Sequence, residues 1–511
     1  MQFYTLPIHL AAITTLDVSI VVIYLVAMVG IGIYYSISTR NSEDYLLGGR
    51  RMASTTVGMS LFASMLSTIS FLAWPGEIIL HGPTILSQVI AYPIVFAIVG
   101  WLLIPKLVQL PVTSAYQILE VKLGKSVRYL ASFMFVLLRT LWMAVVVYAT
   151  VDKVIVPVFD LPPSATPWLC AVLGAVTVVY SVLGGLRAVV TTDVVQTLIL
   201  LLGALVSLVI ISYKLGGISE IIPDAWPDNW SAIRVNFHWS DRTVLGFLLN
   251  FVCWYVATMG SDQMAIQRYL ATPSDITARK VLRTSLVIDA TVFCFMGLVG
   301  LALMSWFLAN PSWLREGEEV YVNADRLFPR FITLGLPIGL TGLVIAGLMS
   351  AAMSSLSSGI NSTAAVITTD WLQGLCGLRL DARKQLVAAR VASALMGCIV
   401  VVTSTFMQYI EGNLFECTVR VANLMTGPLF VLFFMAMFVP RAQASTAIAA
   451  GSAAMAVAVS ISFSQPLQLD FIDGIGFLWI LPTSLVTGIV VGVVLSILFP
   501  ASKQSNYQPN P

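Results

Sequence analysis

The chain has 511 residues, of which 58% are hydrophobic and 10% charged, with a formal net charge of +2. Water-soluble domains carry about 25% charged residues, so a soluble globular protein is excluded, and a charge balance this close to zero leaves no basic surface for nucleic acid. Most of the molecule must face a lipid bilayer.

Only helices and closed barrels satisfy their backbone groups in lipid. Barrel strands alternate apolar and polar residues, whereas Leu198 to Ile211 is continuously apolar, so the predicted fold class is an all-α membrane protein. Thirteen stretches are long enough for the roughly 20 residues that a crossing helix needs. They are 16–38, 54–80, 84–105, 127–155, 165–184, 188–213, 243–264, 277–308, 337–369, 385–409, 413–439, 444–463 and 474–499. No Lys or Arg precedes Arg40, so the first span lacks the basic region of a cleaved signal peptide and is expected to stay, with the N-terminus outside. When the loops are assigned to alternate sides, 18 Lys and Arg fall inside and 7 outside. This bias predicts an N-outside, C-inside chain in the cell (inner) membrane. Arg268 counts with the inside set, and Arg139 and Arg420 fall within spans. The Lys/Arg-rich side is the basic face.

No Pro/Gly/Ser-rich linker divides the chain, which reads as one membrane domain with a polar tail, 501–511. The outside connections 214–242 and 309–336 have room for short helices or lids. Six scattered cysteines form no CxxC pair, so neither a disulfide nor a metal cluster is inferred.

Polar residues concentrate in two spans. The second carries Ser64, Ser67, Thr68 and Ser70 and then meets Pro75-Gly76, a helix breaker; the ninth carries Ser354, Ser355, Ser357 and Ser358. On a helix Ser354 lies beside Ser357 and Ser358. Small residues let membrane helices pack closely, and hydroxyls with freed carbonyls are also the oxygen ligands that a hard monovalent cation needs. The two readings are compatible, because one face can pack while another ligates. Ionisable groups inside spans are Glu77, Arg139, Asp193, Asp289, Glu416 and Arg420; each is costly in lipid and needs a partner or a cavity. Asp193 lies toward the basic end of its helix, either on the path of a cation leaving inward or as a carboxylate favoured by a helix start. Arg139 and Asp289 are both near mid-span and are candidates to pair with each other, or Arg139 to face an anionic or polyhydroxy solute.

Five segments together resemble the sodium:solute symporter family: Ser42 to Arg50, Thr113 to Tyr116, Gly184 to Gln196, Gly260 to Tyr269, and the Ser354 to Ser358 cluster. The resemblance implies a LeuT-like core of two inverted five-helix repeats, about 54–213 and 243–439, with one extra N-terminal helix (16–38) and two extra C-terminal ones (444–499). It implies a sodium site on the backbone carbonyls of Ala63, Leu66 and Ala351 and the hydroxyls of Ser354 and Ser355. Some relatives hold a second sodium, and the matching positions are Asp193, Ser357 and Ser358. By the same analogy Ser67, Ser70, Gln88, Arg139, Trp142, Trp254, Tyr255, Met259 and Gln263 line the solute pocket, with Met65 where some relatives present a hydroxyl.

The function expected is sodium-coupled import of a small organic solute by alternating access, with no cofactor beyond sodium. A proton-coupled transporter and a membrane sensor of sodium or solute on the same fold stay open as alternatives. An enzyme fits poorly, since His9, His81 and His238 lie away from mid-span and neither HExxH nor GxSxG occurs.

Overall fold

The computed structural model describes residues 13–500 apart from 110–111, 224, 240–241, 408–413, 465–466, 470–471 and 473. The side chains of 414–421 are also left out, so Glu416 and Arg420, like the tail 501–511, lie outside the described residues. Helices are the only regular elements among the described residues. In chain order they are α1 (Thr15–Ser38), α2 (Ser42–Leu47), α3 (Ser54–Met65), α4 (Thr68–His81), α5 (Pro83–Val108), α6 (Tyr116–Leu123), α7 (Lys125–Val158) and α8 (Thr166–Leu215). There follow α9 (Val244–Ser261), α10 (Gln263–Leu270), α11 (Asp275–Ala309), α12 (Ala324–Gly335), α13 (Leu340–Leu375), α14 (Ala382–Ser404), α15 (Leu414–Phe438), α16 (Ala444–Ser462) and α17 (Phe477–Leu498).

Among the described residues, ten helices are long and apolar enough to cross a membrane, and α3 with α4, bent by 65° at their break, makes an eleventh span. Two features separate this count from the thirteen expected stretches. The apolar part described for α15, Ala422–Phe438, is shorter than a full crossing, and α8 carries the stretches 165–184 and 188–213 in one 50-residue helix.

Straight, α8 would be about 75 Å long, more than twice the thickness of the hydrocarbon core. Gly185 turns it, with φ 59 and ψ −156, torsions open only to glycine. The two arms then run back on each other. Tyr180 donates its Oη to the Met353 carbonyl at 3.1 Å, while Gln196 donates Nε2 at 3.0 Å to Tyr24 Oη, which meets Met353 Sδ at 3.5 Å. On a straight helix Tyr180 and Gln196 would stand about 24 Å apart. A Cβ at Gly185 would also lie 2.6 Å from the Tyr45 carbonyl oxygen.

The centre of the molecule is α13, whose most apolar stretch is 94% buried against at most 72% for any other crossing helix. Its start is fixed by α1: Asp17 caps its own helix through Thr14 and accepts from the Gly339 and Gly342 N–H groups, each at 2.8 Å. One carboxylate thereby serves the orphan donors of two helix N-termini.

The break in the first polar span falls at Leu66-Ser67, where Ser67 takes extended torsions and caps α4 through the Ser70 N–H. The expected breaker, Pro75-Gly76, lies inside α4 instead, and its purpose is contact: Gly300 of α11 packs against the Pro75 backbone, and the Asp325 carboxyl of α12 sits where a Gly76 Cβ would go. A second interruption separates α9 from α10 at Asp262. The 309–336 connection does hold a short helix, α12, laid against α4.

Gly185→Ala should lower the thermal stability of the detergent-solubilised protein by about 2 kcal/mol or more, while Gly30→Ala, where a Cβ meets nothing within 4 Å, should leave the melting temperature almost unchanged. Burial raises the Asp325 carboxyl to about 6 from 3.8, with Lys153 pulling it back. The folded state thus holds this proton more tightly, so stability should grow as pH falls through about 6 and level off near the ordinary carboxyl value. Melting curves of Asp325→Asn over the same pH range should lose that contribution.

Candidate ion and solute sites

Ending α3 at Met65 deprives the carbonyls of its last turn of the next-turn N–H groups that a continuing helix would supply. Leu66 has extended torsions, φ −81 and ψ 133, and Ser355 Oγ donates to its carbonyl at 3.0 Å. A cavity with about 190 Å³ of empty space opens here, walled by Phe62, Ala63 and Leu66 on one side, Ser350, Ala351 and Ser354 on another, and Gln196, Thr197 and Leu200 of α8 on the third. Four of the five residues expected to hold sodium therefore face one cavity, and the fifth, Ser355, touches it through Leu66. Ser354 donates its proton to Asp193 Oδ1 at 2.7 Å. Its remaining lone pairs are left as acceptors, which is what a cation ligand requires.

Asp193 anchors a buried polar cluster that joins four helices. Its carboxylate accepts from Ser60 Oγ at 2.5 Å, Ser354 Oγ at 2.7 Å, Ser358 Oγ at 3.4 Å and Arg268 Nη2 at 3.3 Å. Arg268 also donates to Ser60 Oγ at 3.0 Å, Ser358 Oγ at 2.5 Å and the Met264 carbonyl at 2.8 Å. Counted above as a loop cation of the basic face, Arg268 is 0% exposed. The side chain reaches back from α10 because an ionised Asp193 in this interior needs a counter-charge. A second sodium at Asp193 and Ser358 would share the carboxylate with this guanidinium. Ser357 lies outside the cluster and donates to the Ser354 carbonyl at 3.1 Å.

A second cavity, with about 340 Å³ of empty space, lies on the other side of the α3 end. Arg139, Trp142 and Trp254, all expected in the solute pocket, line it together with Ser64, Met65, Leu138, Thr258, Ala422 and Thr426. It offers an apolar body, two indole faces, three hydroxyls and one guanidinium. The pairing of Arg139 with Asp289 does not occur. Arg139 Nη2 pairs with Asp262, both side chains being buried, and Arg139 Nε is buried with no hydrogen-bond partner. Asp289 accepts instead from Tyr92 Oη at 2.9 Å and from Tyr255 Oη.

The other expected pocket residues serve elsewhere. Ser67 and Ser70 form the α4 cap, Tyr255 holds Asp289, and Met259 is fully buried against the Tyr269 hydroxyl at 3.3 Å. Gln88 is buried in the first turns of α5. Gln263 accepts from Ala115 N at 2.7 Å and donates to the Thr113 carbonyl at 2.9 Å, fastening α10 to the 113–115 loop. Thr258 was legible in principle, since it lies one helical turn from Trp254. Nothing local pointed to Thr426 or to Asp262 as the partner of Arg139.

A span broken over a cavity that it shares with the serine-rich α13, beside a second broken span and an adjoining cavity, matches a sodium-coupled solute symporter of the LeuT-like fold. The sequence model of the sodium:solute symporter family matches residues 45–453. The sodium/sialic acid symporter NanT of Aliivibrio fischeri is 29% identical over 488 residues, covering 94% of this chain and 93% of that one. The human sodium-coupled monocarboxylate transporter 1 is 29% identical over 443 residues, covering 83% and 69% respectively. A solved substrate-bound, outward-open Na+-coupled sialic acid symporter superposes with a TM-score of 0.86 at 26% identity, over 96% of this chain and all of that one. The chain belongs to the sodium:solute symporter family.

Removing one partner of a buried ion pair costs about 3–5 kcal/mol. Arg268→Met should therefore sharply lower the melting temperature, and adding Asp193→Leu should recover much of the loss.

Proposed function

We propose that the cavity at the α3 break holds the coupling sodium, on the carbonyls of Ala63, Leu66 and Ala351 and the hydroxyls of Ser354 and Ser355, and that the Arg139 cavity takes a solute bearing a carboxylate. The observation that carries this reading is the convergence of Ala63 and Leu66 of the α3 end with Ala351 and Ser354 of α13 on one cavity, with a partly unpartnered guanidinium in the next. Neutral oxygen ligands suit an alkali cation that has shed its water, and do not titrate as a proton site would. Sialic acid and monocarboxylates, named for the relatives, share a carboxylate, the group that a guanidinium grips with two parallel hydrogen bonds. Trp142 and Trp254 supply flat faces for the rest of the solute.

The two sites are adjacent on one helix end: Ala63 and Leu66 face the ion cavity, Ser64 and Met65 the solute cavity. The pairs Arg139–Asp262 and Asp193–Arg268 are each neutral, so a lone cation or a lone carboxylate would leave the interior charged, and the two together would not. Opposite charges roughly 8 Å apart at an effective dielectric of about 20 attract by about 2 kcal/mol. A potential of about 100 mV supplies about 2.3 kcal/mol per inward charge, and a tenfold sodium gradient about 1.4. A carboxylate enters with its own negative charge, so one sodium per solute moves no net charge and the gradient alone supports about tenfold accumulation; a second sodium would bring the potential into play.

In this reading the N-terminus lies outside, the basic face is cytoplasmic in the inner membrane, and the repeats 54–213 and 243–439 rock about the sites. A second sodium would use Asp193 and Ser358. Proteoliposomes carrying the protein should take up sialic acid or lactate only with external sodium. Ser354→Ala with Ser355→Ala should raise the sodium needed for half-maximal uptake by about tenfold or more, and Arg139→Gln should abolish uptake of the acid. Undiminished uptake without sodium would reject the ion assignment.

A further inference from the structure

Asp262 stands at the point where α9 and α10 part, with extended torsions of φ −83 and ψ 125 that end one helix and begin the next. Its Oδ1 accepts from Met264 N at 2.8 Å and so caps α10, while its Oδ2 holds Nη2 of Arg139. Gln263, the next residue, grips the 113–115 backbone through both ends of its amide. Arg139 meanwhile lines the solute cavity with its buried Nε unpartnered.

We infer that Asp262 is a built-in competitor for the solute's carboxylate: the solute displaces it from Arg139, and that displacement frees the α9–α10 break to move. The inference rests on Arg139 being the solute's receptor. A guanidinium presents its N–H donors in a rigid planar fork. Asp262 already occupies Nη2, and a solute carboxylate that grips Nε and Nη2 together sets a second negative charge against the same nitrogen, so the two acids compete for it.

The displaced Asp262 is then a buried carboxylate without its counter-charge, which a low-dielectric interior disfavours. Sodium beside Ala63 and Leu66 relieves this state, because it restores neutrality across the neighbouring cavities. Asp262 therefore makes carboxylate binding depend on sodium. A neutral solute cannot take over the guanidinium, so the same residue selects for acids. Gln263 shares the peptide unit that shifts, and carries the displacement to its grip on Thr113 and Ala115.

The test titrates the full chain in lipid nanodiscs by calorimetry with sialic acid and with lactate, in sodium or with N-methylglucamine replacing it. Asp262→Asn keeps a cap-forming side chain and removes the competing charge. It should bind the acid about tenfold more tightly without sodium, and the enhancement by sodium should shrink by a similar factor. Asp262→Ser, also able to cap, should behave alike, and the methyl esters of the acids should gain nothing in either variant. Suppose both variants melt cooperatively but bind the acid with unchanged affinity and unchanged sodium enhancement, while Arg139→Gln loses it. The competitor role then falls and the receptor reading stands. Retention of acid binding by Arg139→Gln would remove the receptor reading, and the inference with it.

Discussion

Inside a bilayer, a helix that stops short strands carbonyl oxygens where no water can take them. The end of α3 at Met65 creates that situation deliberately, and the rest of the central architecture answers it. Ser67 restarts the helix by capping α4, Ser355 donates to the Leu66 carbonyl, and α13 brings further oxygens alongside. A cation is the natural remaining partner for such oxygens, since it needs several of them and contributes no competing donor. In the proposed reading the ion would complete a structure that the broken span leaves unfinished, and its arrival would bias the position of one helix set against another.

Charge is handled by the same logic. The interior carries carboxylates and guanidiniums, but pairs them between helices: Asp193 of α8 with Arg268 of α10, and Arg139 of α7 with Asp262 at the head of α10. Both pairs hold the short helix α10 to its surroundings, and the Gln263 grip adds a third tie. A different set of contacts binds α7, α8 and α13 to one another, including Arg128 Nε with Asp370 Oδ1 at 2.6 Å and Tyr180 with the Met353 carbonyl. Of the ties to the α10 end, the one through Arg139 borders the solute cavity, where a ligand could exchange for it. The Arg128–Asp370 and Tyr180–Met353 contacts border neither cavity.

Close backbone contact makes this group of helices dense enough to transmit small shifts. The fold-back of α8 at Gly185 sets two arms of one helix against α13, so that Gln196, Thr197 and Leu200 from the second arm finish the ion cavity while Tyr180 from the first steadies Met353. Asp17 pins the start of α13 from α1. The cavity at the α3 break thus has two walls from α8 and α13 and one from the broken span.

The sequence by itself determined the class of the protein: apolar length dictates helices because lipid forbids any other open backbone. It also singled out the two hydroxyl clusters, in otherwise apolar spans, that the fold brings to the break of α3. Partnerships were another matter. Depth in the membrane suggested Asp289 as the partner of Arg139, but the packing of α7 against the α9–α10 break gave it Asp262 and left Asp289 to two tyrosines. Arg268 counted as a loop cation until the fold carried it inward to Asp193. Pro75 announced a break that occurs eight residues earlier, at Ser67, because helix ends are set by which carbonyls find partners and those partners come from distant segments. Composition and periodicity are local and survive in one dimension; charge pairing and cavity shape arise between segments and exist only once the chain has packed.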